Sequence, residues 1–182
     1  MNIINTDRLI LRGWNEDDYT DFYEFMSDER VGRCAGTRVI EDIEESKECI
    51  RNFIKYNQSY AIVLKGINKV IGSIGMDDVA PDKDRLNLKQ RYIGYTMHPD
   101  YWGNGYATEA AGFLIKYLFE SIDLDLIWSS HYDFNVKSKS VINKCGFKYE
   151  FSRYKSLNAL GGKSVEELFY SLTKIEFGEV KK

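Results

Sequence analysis

A short glycine-containing segment between a strand-like run and a helix-like run constrains this chain more than any other feature. Residues 91–98 (RYIGYTMH) have strand character, Pro99 ends that run, and Gly103-Asn104-Gly105 then leads into a helical pattern that starts near Tyr106. Two glycines at the mouth of a helix leave main-chain N–H groups accessible, because no side chain covers them. The segment therefore predicts an anion, such as a phosphate, bound at a helix N-terminus.

The rest of the chain alternates between strand patterns and amphipathic helices, with no linker or repeat that would divide it. We expect one domain over residues 1–182, of the mixed α+β class, with a mostly antiparallel sheet of about seven strands and about four helices. Strands are predicted at Arg8–Trp14, Ser59–Leu64, Lys69–Met76, 91–98, Leu126–Tyr132, Phe147–Tyr154 and Glu167–Lys174, and helices from Asn15 to Met26, over 40–56, over Tyr106–Ser121 and over Val136–Lys144.

Composition and charge exclude several classes of function. The net charge of -3 weighs against long stretches of nucleic-acid backbone as the main ligand. No segment approaches the ~20 apolar residues of a membrane span, and the start of the chain does not resemble a secretion signal, so we expect a cytoplasmic protein. Cys34, Cys49 and Cys145 lack the paired spacing of a zinc or redox site, and we expect free thiols and no metal. The oligomeric state, monomer or homodimer, stays open.

The glycine segment does not match the two common nucleotide-binding motifs. It lacks the Gly-Lys-Ser/Thr ending of a P-loop and the third glycine of the dinucleotide fingerprint. A nucleotide-binding regulator therefore has little support. The run from Trp102 to Ala107 instead resembles the central signature of the GCN5-related N-acetyltransferase (GNAT) superfamily, Arg/Gln-x-x-Gly-x-Gly/Ala, with Gly105 and Ala107 matching and Trp102 in place of Arg or Gln.

Two further blocks agree with this resemblance and narrow it. Residues 135–138 and 141–147 resemble the Asn-x-x-Ser-x-x-Val-x-x-Lys-x-Gly-Phe block of the branch that contains the ribosomal-protein N-terminal acetyltransferases. Residues 6–12 are similar to the first strand of that branch. The resemblance thus covers nearly the whole chain and implies the GNAT fold, with a V-shaped opening between the fourth and fifth predicted strands.

The resemblance also implies acetyl-coenzyme A (acetyl-CoA) as the co-substrate. Its pyrophosphate would bind the amides of 103–107, its pantetheine arm would pair with the strand before Pro99, and the Met97 amide would stabilise the oxyanion that forms during attack. The cofactor-binding residues that we predict are Thr96, Met97, His98, Trp102, Gly103, Asn104, Gly105, Tyr106, Ala107, Thr108, Asn135 and Ser138.

Acetyl transfer to an amine needs a group that takes a proton and a group that gives one. For the base we predict Asp77, with Asp78 and His131 as rivals and a solvated loop acid as the alternative for either Asp. Many superfamily members protonate the leaving thiolate with a tyrosine, but Ile142 stands at that position here. By resemblance we predict Ser138 as the acid, with a helix-capping hydroxyl as the alternative.

These residues predict an enzyme, an N-acetyltransferase that transfers acetyl directly from acetyl-CoA to a primary amine. The resembled branch favours a protein N-terminal α-amine, while a small amine such as an antibiotic, polyamine or amino acid stays open. The missing tyrosine keeps a second class open, a non-catalytic acyl-CoA sensor or interaction module on the same fold.

Overall fold

The computed structural model describes residues 1–180, which form one mixed α+β arrangement around an eight-stranded sheet. The strand order is β1-β2-β3-β4-β5-β6-β8-β7, so neighbours in the chain are neighbours in the sheet except at the final hairpin. The strands are β1 (Ile4–Asn5), β2 (Leu9–Arg12), β3 (Ser59–Leu64), β4 (Lys69–Asp77), β5 (Gln90–Met97), β6 (Leu126–Tyr132), β7 (Lys148–Leu157) and β8 (Lys163–Thr173).

Six α-helices surround the sheet in the described part of the chain. They are α1 (Tyr19–Met26), α2 (Glu29–Ala35), α3 (Ile43–Tyr56), α4 (Tyr106–Glu120), α5 (Val136–Lys144) and α6 (Lys174–Val180). Of these, α2 and α6 were not expected from the sequence. None of the helices among residues 1–180 has the length and apolar character needed to cross a membrane.

The sheet is antiparallel except at one pair of strands, where it splits. Strands β5 and β6 run parallel and pair only over Gln90–Tyr92 and Leu126–Trp128. Beyond Tyr92 the two strands diverge, while β5 stays paired with β4 as far as Met97. This confirms the predicted V-shaped opening and the GNAT fold, with the fourth and fifth strands of the prediction now numbered β5 and β6.

Helices cover both faces of the sheet. On one face α4 buries Ala110, Leu114 and Leu118 among strand residues that include Ile93 and Met97. On the other face α1 and α3 form a second core around Phe25 and Ile50. Because the residues that α4 turns toward the sheet in its first two turns are the alanines Ala107, Ala110 and Ala111, the helix can start close to the sheet, beside the open end of the V.

The last two strands are longer than the sequence predicts. They pair from Lys148 with Ser171 to Leu157 with Lys163, and only a short turn at Asn158–Leu160 and two glycines separate them. The segment 155–162, which lies between the two predicted strands, is therefore strand as far as Leu157 and a tight turn from Asn158 onward.

Candidate active site

The open edge of β5 presents main-chain groups to the V. The His98 N–H donates to Ile71 O in β4 at 2.8 Å. Because N–H groups alternate along a strand, those of Met97 and Tyr95 point away from β4 and into the opening. The Met97 carbonyl on the same side accepts a hydrogen bond from Trp102 Nε1 at 2.7 Å. This leaves the amide of Met97, and both the amide and the carbonyl of Tyr95, to face a ligand in the V.

The glycine segment forms a row of main-chain donors at the mouth of α4. Gly103 and Gly105 adopt left-handed conformations, with φ of 82° and 80°, which explains why glycine stands at both positions. The first intrahelical bond runs from Glu109 N–H to Gly105 O. Within residues 1–180, the N–H groups of 103–108 find no acceptor, as expected at a helix start, and the helix dipole favours an anion beside them.

Arg8 and Glu109 hold this segment in place, a role that sequence reasoning missed. Arg8 donates to Glu109 Oε2 at 2.6 Å and to Asn104 O at 2.9 Å, and its guanidinium lies over the Tyr106 ring. Glu109 also accepts from Thr6 Oγ1 and from the Arg8 amide. Burial raises the pKa of Glu109, but these hydrogen bonds outweigh it and the net pKa is lowered. The connection between β1 and β2 is therefore bonded to the glycine segment and to the first turn of α4.

A cavity of about 400 Å³ lies in the V and reaches the glycine segment. Ten of the predicted cofactor residues line it, namely Thr96, Met97, Trp102, Gly103, Gly105, Tyr106, Ala107, Thr108, Asn135 and Ser138, whereas His98 and Asn104 are not among the lining residues. Its size lies within the range usual for small-molecule sites. Sequence reasoning missed other lining residues, which include Val31, Cys34, Ala35, Tyr95, Lys137 and Lys144.

The β6–α5 junction closes one side of the cavity. Asn135 caps α5 by accepting from the Ser138 amide at 3.0 Å, and its side-chain amide donates to Cys34 O in α2 at 3.0 Å. Lys137 places its ammonium 3.9 Å from the centre of the Trp102 ring. Asn135 therefore connects α2 and α5, and Lys137 and Trp102 meet across the cavity.

Ser138 has a partner that the sequence did not reveal. The Tyr95 hydroxyl crosses from β5 and donates to Ser138 Oγ at 3.2 Å. Burial raises the pKa of Tyr95 to about 12, so its proton stays on at neutral pH. Because Ser138 Oγ accepts from Tyr95, its own O–H can donate to another group in the cavity. Ile142, at the position of the usual tyrosine, is buried in the core.

The structure separates the candidates for the base. Asp77 ends β4, and burial, together with the charge of Asp78, raises its pKa. Asp78 itself is paired with Arg91 at 2.6 Å. His131 points to the α4 face, where it is buried and hydrogen-bonded to Tyr170 OH at 3.0 Å, and burial lowers its pKa. Asp77 is thus the member of this set without an ion-pair or hydrogen-bond partner in the described part of the chain.

The remaining predicted residues have side-chain roles within the protein. The His98 ring contacts Glu24 and accepts from the Asp100 amide, and Thr96 Oγ1 lies 2.8 Å from Ser73 Oγ. Asn104 donates to the carbonyls of Tyr101 and Trp102. Among residues 1–180, no group of His, Cys, Asp and Glu side chains is arranged to hold a metal ion.

Comparison with known proteins agrees with this geometry. The family model for the acetyltransferase (GNAT) domain matches residues 8–148. The uncharacterized N-acetyltransferase YoaA of Bacillus subtilis strain 168 is 30% identical over 153 residues, covering 81% of this chain and 84% of YoaA.

Two solved structures share the fold. A GNAT-family acetyltransferase from Bacillus anthracis superposes with a TM-score of 0.84 at 23% identity, covering 96% of this chain and 99% of the other. The ribosomal-protein-S5-alanine acetyltransferase from Vibrio fischeri gives a TM-score of 0.76 at 18% identity, with 96% and 97% covered. The chain therefore belongs to the GNAT acetyltransferase family and is an N-acetyltransferase that uses acetyl-CoA.

Proposed function

We propose that this enzyme acetylates the α-amine at the N-terminus of a protein or peptide. The observation that carries the cofactor part is the row of free N–H groups over 103–108 at the end of a cavity of about 400 Å³. The acceptor part is supported by the sequence blocks shared with the ribosomal-protein branch and by the similarity to the Vibrio fischeri enzyme.

In this proposal the pyrophosphate of acetyl-CoA binds the N–H groups of 103–108, where the dipole of α4 favours negative charge. The pantetheine arm lies along the open edge of β5 and pairs with the exposed groups of Tyr95 and Met97 as an added strand would. The Tyr95 amide, rather than the Met97 amide predicted from the sequence, donates to the thioester oxygen, because Met97 lies about 16 Å along β5 from Tyr92, the cross-strand partner of Asp77. Such a donor stabilises the charge that develops there when the amine attacks.

Proton transfer is assigned to Asp77 and Ser138. The Asp77 carboxylate takes a proton from the incoming ammonium, and the free amine attacks the thioester carbon, which forms the C–N bond. When the C–S bond breaks, the Ser138 hydroxyl protonates the thiolate and regains a proton from the nitrogen that now forms the amide. Tyr95 orients Ser138 for this step through its hydrogen bond.

The cysteines support direct transfer without an acetyl-enzyme. Burial raises the pKa of Cys34, which lines the cavity, and raises that of Cys145 to about 11. At neutral pH both are thiols, which are poor nucleophiles compared with thiolates.

The proposal is tested by acetyl transfer to matched acceptors. Purified enzyme and acetyl-CoA are incubated with a peptide that has a free N-terminus, with the same peptide blocked at its N-terminus, and with spermidine. Mass spectrometry should show one acetyl group on the free peptide only. Efficient acetylation of spermidine with no reaction of the free peptide would overturn the assignment of the acceptor.

A further inference from the structure

Two glycines on neighbouring strands leave an open strip on the sheet face opposite α4. Gly75 in β4 and Gly94 in β5 are direct cross-strand partners, and the register of the two strands is regular throughout. Gly94 is solvent-exposed although it lies in the middle of a central strand, and a Cβ built there meets nothing within 4 Å.

The usual structural reasons for a strand glycine do not apply to Gly94. Its φ is not among the positive values, no bulge interrupts the β4–β5 pairing, and no neighbouring main chain approaches it. Glycine weakens a strand interior, and where the protein itself does not need it, it often marks close approach of a ligand. The strip borders the part of β5 that has separated from β6, so it opens toward the V.

Polar groups stand at one end of the strip. Asp77 and Tyr92 are cross-strand partners two residues along from the glycine pair, so their side chains lie on the same face as that pair. Ser130 in β6 donates to Glu167 Oε1 in β8 at 2.6 Å, and the Tyr92 hydroxyl contacts Ser130 Oγ.

The direction of these bonds follows from the number of protons. Because Ser130 has one hydroxyl proton and donates it to Glu167, the Tyr92 hydroxyl must donate to Ser130. The lone pairs of the Tyr92 oxygen are then free to accept, and within residues 1–180 no other group donates to them. Lys155 Nζ lies 3.3 Å from the other oxygen of Glu167, and this ion pair holds the carboxylate beside Ser130.

We propose that this strip, formed by Gly75, Gly94, Asp77 and Tyr92, is the acceptor subsite and holds a primary ammonium group at the end of an extended chain. The Tyr92 oxygen accepts one N–H of the ammonium, Asp77 faces its charge, and the missing side chain at Gly94 leaves room for the atoms that follow. Glu167 is a positioning residue that acts through Ser130. The inference deepens the proposed function and rests on it.

The geometry brings the two substrates together from opposite faces. The cofactor cavity is lined by Tyr95 and Met97, whose side chains point to the α4 face, while Tyr92 and Gly94 point to the other face. Between them lies the separated part of β5, the one route in the described sheet through which the thioester and the amine can meet.

The experiment measures acceptor binding separately from cofactor binding. Wild type and Gly94→Val are titrated by calorimetry with acetyl-CoA, and then, with CoA present, with a free-N-terminus peptide and with spermidine. Valine suits a strand and meets no neighbour at Cβ, so the melting temperature should hold or rise. We expect unchanged acetyl-CoA affinity and at least a tenfold loss of amine affinity. Gly94→Ala, a smaller block, should give a weaker loss of the same kind.

Loss of the Tyr92 contact is measured by kinetics. Tyr92→Phe should raise the acceptor KM about tenfold, and Glu167→Gln should act in the same direction. The acceptor KM of the double variant should rise no further than that of the stronger single variant, because both residues act through one chain of bonds. Glu166→Gln, whose side chain bonds Ser152 instead, is the matched control and should leave acceptor KM unchanged.

Three results would overturn the inference while leaving the proposed cofactor site intact. They are unchanged amine affinity in both Gly94 variants, multiplicative effects in the double variant, and wild type that binds acetyl-CoA but neither amine. Absence of acetyl-CoA binding by the wild type would instead refute the proposed function itself.

Discussion

Replacing Gly105 by alanine tests the proposed pyrophosphate site at residues 103–108, because the substitution adds a single methyl group beside the row of main-chain N–H donors. Gly105 has a φ of 80°, and a Cβ placed there lies 3.5 Å from Arg8 Nη2, an ordinary contact. The cost to the fold is therefore mainly the left-handed backbone, about 1–2 kcal/mol. For a chain of 182 residues this lowers Tm by roughly 2–8 °C.

The effect of Gly105→Ala on acetyl-CoA should be larger than its effect on the fold. A hydrogen bond from an amide to a charged phosphate contributes about 1.5–3 kcal/mol. If the methyl group displaces the pyrophosphate from even one N–H of the row, affinity falls about tenfold to a hundredfold. Calorimetric titration with acetyl-CoA measures this at a temperature well below the Tm of the variant.

Gly161→Ala is the matched control for this experiment. Gly161 has a φ of 66° in the β7–β8 turn and a Cβ there meets nothing within 4 Å, so the backbone strain is the same without the anion. It should lower Tm similarly and leave acetyl-CoA affinity unchanged. If Gly105→Ala binds acetyl-CoA as tightly as wild type, or if both variants lose affinity equally, the pyrophosphate does not bind at residues 103–108.

Four further substitutions test separate parts of the account. Asp77→Asn should lower kcat at least a hundredfold with little change in acetyl-CoA affinity. Because burial and the charge of Asp78 raise the pKa of Asp77, the acidic limb of the wild-type pH–rate profile should lie at a higher pH than is usual for an aspartate. Ser138→Ala should lower kcat by a similar factor and leave both KM values within about threefold, as steady-state kinetics would show. Because folding lowers the pKa of Glu109, this residue contributes stability that is fully present above its pKa in the unfolded chain and is lost as pH falls through its pKa in the folded protein. Glu109→Gln should therefore flatten the acid side of a plot of Tm against pH. The buried Tyr60 hydroxyl has no hydrogen-bond partner in the described structure. Tyr60→Phe should therefore raise the free energy of unfolding by about 1 kcal/mol, which a thermal unfolding experiment would show as a higher Tm.

Local signals account for the elements that the sequence predicts well. The strand Leu126–Tyr132 and the helix Val136–Lys144 are found with the expected bounds, since Asn135 caps that helix and Gly146 follows it. The start of α4 at Tyr106 was marked by the glycines before it. Each of these signals depends on a few residues that are adjacent in the chain.

Helix α2 was missed and strand β7 was predicted too short, because both have weak apolar patterns. The helix Glu29–Ala35 is short and has little apolar periodicity, although Asp28 caps its start and Gly36 its end. The strand Lys148–Leu157 was predicted as Phe147–Tyr154, and its last residues, which are mostly polar, are extended by pairing with β8. A search for apolar periodicity therefore finds neither the short helix nor the end of this strand.

The same limit applies to the candidate site. The glycine row lies within one segment and was predictable from it, whereas the Tyr95–Ser138 bond joins residues from β5 and α5 across the V. The Arg8 contact with Asn104 likewise joins residues that are 96 apart in the chain. Such pairs depend on the tertiary fold, which residue types alone do not reveal.

The central claim is that the V holds acetyl-CoA and passes its acetyl group directly to an amine. The most direct measurement follows free CoA thiol and acetylated peptide together, with purified enzyme, acetyl-CoA and a peptide with a free N-terminus. The account predicts that both products appear in equal amounts, that neither appears without peptide, and that no acetyl group is found on the enzyme. Failure of the enzyme to bind acetyl-CoA at millimolar concentration, or thiol release that leaves acetyl on a cysteine, would contradict it.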